Sequence, residues 1–297
     1  MMDGHAVGDP AILGDRYRRR HLALTGGRVC VGEWQADAPT VLALHGISSN
    51  HLLWTWAALA DEGLNIVAPD LRGRGGSDAG RPGIAHHVDD VFAVMDALEL
   101  DRVSLTGMSM GGYVAVAMAA RQPDRFNALV LVDGGIPMAL DPAGAEPFLA
   151  DIAHRGATDN TFASVAAYTR SYLAKFDNDL DLDDPVMQAF MAWNLTGLEP
   201  GLHPRLPGAN MVGDARDVFF DAPVAQWLTS LHLPIDLLHA EAGLPSEPPA
   251  DWAKRLPNLH EELVLGADHA SIVMGPSGGA NVARLLRHAV QQVTADE

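Results

Sequence analysis

The sequence predicts an α/β fold: a mostly parallel central sheet with helices on both faces and an inserted helical cap. Three observations lead there. Short strand-like and longer helix-like segments alternate through both ends of the chain, the pattern of a sheet wound by crossover helices. The alternation breaks at Gly134-Gly135-Ile136-Pro137, and the 95 residues that follow hold helical patches and no convincing strand, far too long for a loop. Between an apolar strand and an alanine-rich helix stands Gly107-Met108-Ser109-Met110-Gly111, a G-x-S-x-G run at a strand-to-helix turn.

The elements follow in order. Arg28–Trp34 alternates like a strand, and Asp37-Ala38-Pro39 ends it. Thr40–Leu44 is strand-like, and Leu52–Asp61 is helical and closed by Gly63. Strand Asn65–Ala68, helix Ala85–Leu98, strand Arg102–Thr106 and helix Gly112–Arg121 come next. Gln122-Pro123 stops that helix before strand Ala128–Val132. In the insertion, Pro142–Arg155, Thr161–Lys175 and Val186–Asn194 read as helices, and Pro200–Gly213 as a connector. Strand Ile235–His239, helix Ala250–Leu256, strand Glu261–Leu265 and helix Gly278–Val293 complete the alternation. The expected division is a core of 1–136 with 232–297, and a cap (lid) of 137–231.

Composition narrows the function. A chain of 297 residues, 48% apolar, is ample for one sizeable core. A net charge of −18 repels phosphate backbones and anionic lipid, so neither nucleic acid nor membrane is an expected partner. No apolar run is long enough to span a bilayer, and Met1–Pro10 lacks a charged-then-apolar signal pattern. A cytoplasmic protein, monomer or homodimer, is therefore expected. The single cysteine, Cys30, sits in a strand pattern and reads as a small buried hydrophobe.

No cofactor or metal is expected. His86-His87 and His45 are not at metal-ligand spacing and read as solvated or helix-end histidines. The acidic run Asp177–Asp184 has Leu182 and Gln188 where a calcium loop needs glycine and glutamate, so it reads as a solvated linker.

The chemistry-bearing residues fit a serine nucleophile. A serine on a cramped strand-to-helix turn is pushed out of the sheet at a helix N-terminus. Ser109 is that serine. Its base should come late in the chain, and His269, after the last strand, answers. Its neighbour Asp268 is badly placed to orient it.

These residues, with His45-Gly46 after a strand and Asp70-Leu71-Arg72-Gly73-Arg74-Gly75-Gly76-Ser77, give the chain a resemblance to the α/β-hydrolase fold with a helical cap, over nearly its whole length. The resemblance implies an oxyanion hole from the Ile47 and Met110 N–H groups. It makes Asp70 to Ser77 a structural turn. It also implies an acid in the turn after Ile235–His239, but there the chain reads Ala240-Glu241-Ala242-Gly243, with glycine in the aspartate's place. A minority of the family carries the acid after the preceding strand, where Asp133 stands. Asp133 is preferred, with Glu241 as rival.

Serine at 109 excludes the carboxylate-nucleophile dehalogenases and epoxide hydrolases. It suits acyl transfer on a carboxylic ester or lactone of a fairly apolar small molecule. Met108, Trp54 and Trp193, with Trp56 and Trp227, are the candidate apolar wall. A carbon–carbon bond hydrolase with the same triad, or a weakly catalytic ligand-binding (receptor-type) protein, is the alternative.

Overall fold

The computed structural model describes residues 10–155, 160–176, 178–205 and 208–295. The N-terminal stretch 1–9, Asp177 of the acidic run and residues 206–207 of the expected connector lie outside them.

Among the described residues the sheet has eight strands. They are β1 (Tyr17–Leu24), β2 (Gly27–Trp34), β3 (Thr40–Leu44), β4 (Asn65–Pro69), β5 (Val103–Met108), β6 (Phe126–Val132), and two late strands, Ile235–Ala242 and Leu259–Asp268. A two-residue hairpin inside the insertion supplies β7 (Leu195–Thr196) and β8 (His203–Pro204), so the late strands are β9 and β10. The order is β1-β2-β4-β3-β5-β6-β9-β10. Pairing is parallel from β4 to β10 and antiparallel on both sides of β2.

Strand β1 was not expected. Its Arg18-Arg19-Arg20-His21 run has no buried alternation to reveal it, because an edge strand needs only one neighbour and keeps charge outward.

Side chains alternate across the sheet into two cores. On β6, Ala128, Val130 and Val132 face one layer, with α1 (Thr55–Ala60) and the last helix (Gly275–Ala295). Leu129 and Leu131 face the other, with α2 (Ile84–Ala97) and α3 (Met110–Arg121).

Between β6 and β9 lie α4 (Pro142–Arg155), α5 (Val165–Leu173), α6 (Pro185–Trp193), α7 (Gly208–Arg216) and α8 (Val224–Thr229). Helix α5 starts later than its pattern suggests because the Ser164 hydroxyl caps it, accepting from Ala167 N–H. Asp184 caps α6 through Val186 N–H and also accepts the Trp56 indole N–H, so this part of the acidic run ties α6 to α1. The stretch read as a connector to Gly213 is helical from Gly208 onward. Helix α8 packs on α3 of the sheet layer. After β9 come α9 (Pro249–Arg255) and, after β10, α10 (Gly275–Ala295). No helix among the described residues is long and apolar enough to cross a membrane.

Candidate active site

The site begins with backbone crowding at the end of β5. Ser109 has φ 54° and ψ −125°, a conformation rare for a side-chain-bearing residue. Glycine makes it possible. A Cβ on Gly107 would lie 2.2 Å from the Gly111 carbonyl oxygen, and one on Gly111 would lie 2.2 Å from that of Leu44. Strand and helix thus approach as closely as bare backbone allows, and Ser109 is turned out of the sheet immediately before α3.

His269 follows β10. Its Nε2 lies 3.0 Å from Ser109 Oγ, and its Nδ1 lies 2.5 Å from Asp133 Oδ2. A carboxylate only accepts, so Nδ1 carries the proton and Nε2 is left to accept the Ser109 hydroxyl. Asp133, at the end of β6, is 5% exposed and has φ 42°. Ala240 N–H (3.2 Å) and Leu244 N–H (3.0 Å) also donate to it.

These donors explain the anomalous turn after β9. A Cβ on Gly243 would come within 2.2 Å of Asp133 Oδ1. The Asp133 carboxylate fills the space a side chain at 243 would use. Glu241, the rival, is exposed and accepts Gly266 N–H at 2.8 Å. Asp268 is occupied in its own turn, accepting from Ala270 and Ser271 N–H, and from the Asn178 amide of the insertion.

The Gly46-Ile47 backbone borders the serine: a Cβ on Gly46 would lie 3.2 Å from Ser109 Cβ. Ile47 and Met110 both line the cavity beside Ser109. Two buried histidine-containing networks hold this loop. His45 donates from Nδ1 to Gly46 O and accepts Leu71 N–H at Nε2, and burial pushes its pKa down to about 4. Arg74 donates to Ile47 O at 3.0 Å and pairs with Asp214 of α7, which also accepts from Gly83 N–H and contacts His87 Nε2. Burial alone would raise the Asp214 carboxyl. The His87 hydrogen bond and the Arg74 charge override it and hold it at about 2. His45 is therefore a buried structural group and not a solvated one, while His87, in the first turn of α2, is a helix-end histidine that is buried.

The cavity above Ser109 holds about 310 Å³. Met108, Leu53, Tyr113 and Phe148 give it apolar walls. Trp54 and Trp193 do not line it. Trp54 is fully buried in the core, and its neighbour Leu53 reaches the cavity instead. The Trp193 N–H is captured by Asp70 at 2.8 Å, since a buried indole needs an acceptor. Arg155, Lys175 and Phe176 line the cavity without any sequence signal having marked them. Arg74 at least lay within the Asp70–Ser77 signature.

Among the described residues Cys30, His51 and Asp70 lie within reach of one ion. Both His51 nitrogens are engaged, by Asp70 and by Tyr17. Both Asp70 oxygens accept protein donors, including Gly76 and Trp193 N–H. The cluster acts as a hydrogen-bond hub tying α6 to the sheet. Burial alone would raise the Asp70 carboxyl, but the His51 ring and the other donors hold it well below the usual range.

A family profile described as "alpha/beta hydrolase fold" matches residues 39–276. The lipase LipV of Mycobacterium tuberculosis is 31% identical over 163 residues, 54% of this chain and 59% of the lipase. The 2-hydroxymuconate semialdehyde hydrolase of Pseudomonas sp. (strain CF600) is 33% identical over 122 residues, 38% of this chain and 42% of that protein. The chain spans less than two thirds of the length of the curated relatives it matches. The structure of E-2-(acetamidomethylene)succinate hydrolase superposes with a TM-score of 0.76 at 21% identity, covering 93% of this chain and 99% of that one. Because the profile runs through most of the chain and takes in both Ser109 and His269, the protein belongs to the alpha/beta hydrolase fold family.

Proposed function

We propose that the protein is a serine hydrolase that cleaves a carboxylic ester or lactone of a fairly apolar small molecule through an acyl-enzyme. One observation carries this reading: the unbroken hydrogen-bonded line from Asp133 through His269 to Ser109, 2.5 Å and 3.0 Å long, at the foot of a largely apolar cavity.

In this mechanism Ser109 Oγ attacks the acyl carbonyl while His269 Nε2 takes its proton. Asp133 keeps the imidazole in the required tautomer and stabilises the imidazolium. The Ile47 and Met110 N–H groups hold the developing oxyanion, helped by the positive end of α3. His269 then protonates the leaving oxygen, and an incoming water repeats the cycle. The residues 137–231 act as the lid that excludes solvent and sets selectivity.

A carbon–carbon hydrolase would use the same three side chains, and the similarity to 2-hydroxymuconate semialdehyde hydrolase keeps it as the second reading. A weakly catalytic receptor-type protein would need no working acid, and the Asp133 carboxylate seated against Gly243 and bonded to His269 supports the hydrolase reading over it.

The test is reaction with a fluorophosphonate probe, together with turnover of p-nitrophenyl esters and a lactone panel. Labelling and turnover should both vanish in Ser109→Ala. A folded wild-type protein that takes no label and turns over no ester or lactone would overturn the reading.

A further inference from the structure

Among the described residues, the charged side chains lining the cavity apart from His269 are Asp151, Arg155 and Lys175. They come from two elements. Asp151 and Arg155 share the last turn of α4, and Lys175 follows α5. Both cations reach the same oxygen. Arg155 Nε lies 3.0 Å from Asp151 Oδ2 and Nη2 contacts it too, while Lys175 Nζ lies 2.9 Å away. Among the described residues, one carboxylate facing two cations leaves a net positive charge on this wall.

An ordinary surface ion pair is the competing account, but two features stand against it. The Arg155 side chain is only 19% exposed. Its Nη1, which Asp151 does not use, is directed at Ser48, 3.5 Å from the hydroxyl oxygen. Ser48 follows Ile47 directly and is held by Tyr172, whose ring lies 5.8 Å from the guanidinium carbon. On the other side Lys175 Nζ stands 4.9 Å over the Phe176 ring, which lies 6.4 Å from the His269 ring. The cationic wall and the reacting groups therefore face one another across a short apolar span. The chain has a net charge of −18 and few lysines, Lys175 among them, so a cationic cavity wall runs against its overall balance.

We infer that Arg155 and Lys175 form an anion-recognition site, and that the substrate carries a carboxylate at the end of a short apolar acyl chain. The inference rests on the reading of Ser109 as the acyl acceptor. A monoanion matches the single net charge better than a phosphate dianion would. The acyl side is favoured because Arg155 abuts Ser48, next to the N–H that would hold the acyl oxygen. Guanidinium donors on a partly desolvated wall favour a carboxylate through charge-assisted hydrogen bonds, worth roughly 10- to 100-fold in selectivity.

The experiment compares kcat/KM for mono(p-nitrophenyl) adipate and p-nitrophenyl hexanoate, which match in chain length. Wild type should favour the adipate ester by about tenfold or more, and salt should shrink the preference. The preference should collapse in Arg155→Gln/Lys175→Gln. It should grow in Asp151→Asn, which removes the competing carboxylate, a gain that a merely damaged cap would not produce. Equal or reversed preference in wild type, or a preference unmoved in the double variant, overturns the inference.

Turnover of the hexanoate ester separately reports the hydrolase reading. If neither ester is turned over, calorimetric binding of octanoate against octan-1-ol decides the anion site on its own. Tighter octanoate binding that is lost in the double variant supports it, and equal binding overturns it.

Discussion

Replacing Asp133 by asparagine changes one atom and should nearly abolish turnover. The carboxylate now accepts three N–H donors: His269 Nδ1 at 2.5 Å, Leu244 N at 3.0 Å and Ala240 N at 3.2 Å. Asparagine has one acceptor oxygen and one NH₂ group, so it cannot satisfy all three. If the oxygen takes the Oδ1 position on Ala240 N–H, the NH₂ group faces both Leu244 N–H and Nδ1 and drives the imidazole into the tautomer protonated at Nε2. Nε2 then donates toward Ser109 and cannot take its proton. Such a change at the acid of a serine triad costs about 10⁴-fold, or about 5 kcal/mol of transition-state stabilisation. The fold should lose far less, about 1–3 kcal/mol for one poorly satisfied buried donor. The assay is kcat on the best p-nitrophenyl ester, with a urea midpoint measured alongside. Glu241→Gln is the control, since an exposed glutamine still accepts Gly266 N–H, and it should stay within twofold. Asp133→Asn activity within tenfold of wild type, or a larger loss in Glu241→Gln, would refute the tautomer argument.

Three further outcomes follow from the same geometry. Gly243→Ala puts a methyl group where the Asp133 oxygen now lies, so kcat should fall by about 100-fold or more as the imidazole loses its orientation; a near-normal rate would mean that the turn yields without moving Asp133. His45 is fully buried with its pKa lowered to about 4, so the unfolded chain binds the extra proton between that value and 6.5. The resulting stability is fully present above pH 6.5 and is lost as the pH falls through 4, a term of about 3 kcal/mol that His45→Gln should flatten in urea titrations at pH 7 and pH 4.5. Asp214→Ala strands Arg74 and His87 in the interior; it should cost about 3–5 kcal/mol by urea denaturation and should also lower kcat at temperatures where the variant is folded, because Arg74 would no longer hold the Ile47 carbonyl in place.

The serine and histidine were legible because each sits in a local pattern. Ser109 needs small residues on both sides, and these are contiguous in sequence. His269 follows an apolar strand that periodicity reveals. The α/β alternation was readable for the same reason, since each strand buries a short apolar run. Strand β1 escaped because its residues face solvent. Helix α7 escaped because its glycines and polar residues mimic a connector, and contact with α4 holds it instead.

The amino-acid order alone determined where the strand-to-helix turn carrying Ser109 lies, that His269 follows a late strand, and that a largely helical segment interrupts the sheet. Tertiary packing decided what depends on partners far apart in the chain. Asp133 meets His269 because β6, β9 and β10 lie side by side and residue 243 has no side chain to block it. Trp54 and Trp193 turned away from the cavity because buried core and the Asp70 carboxylate claimed them. Arg155 and Lys175 share one carboxylate only once the end of α4 and the residues after α5 are brought together in the folded chain. A linear pattern records which side chains are present and their local period, while the distance between two remote ones is set by every layer packed between them.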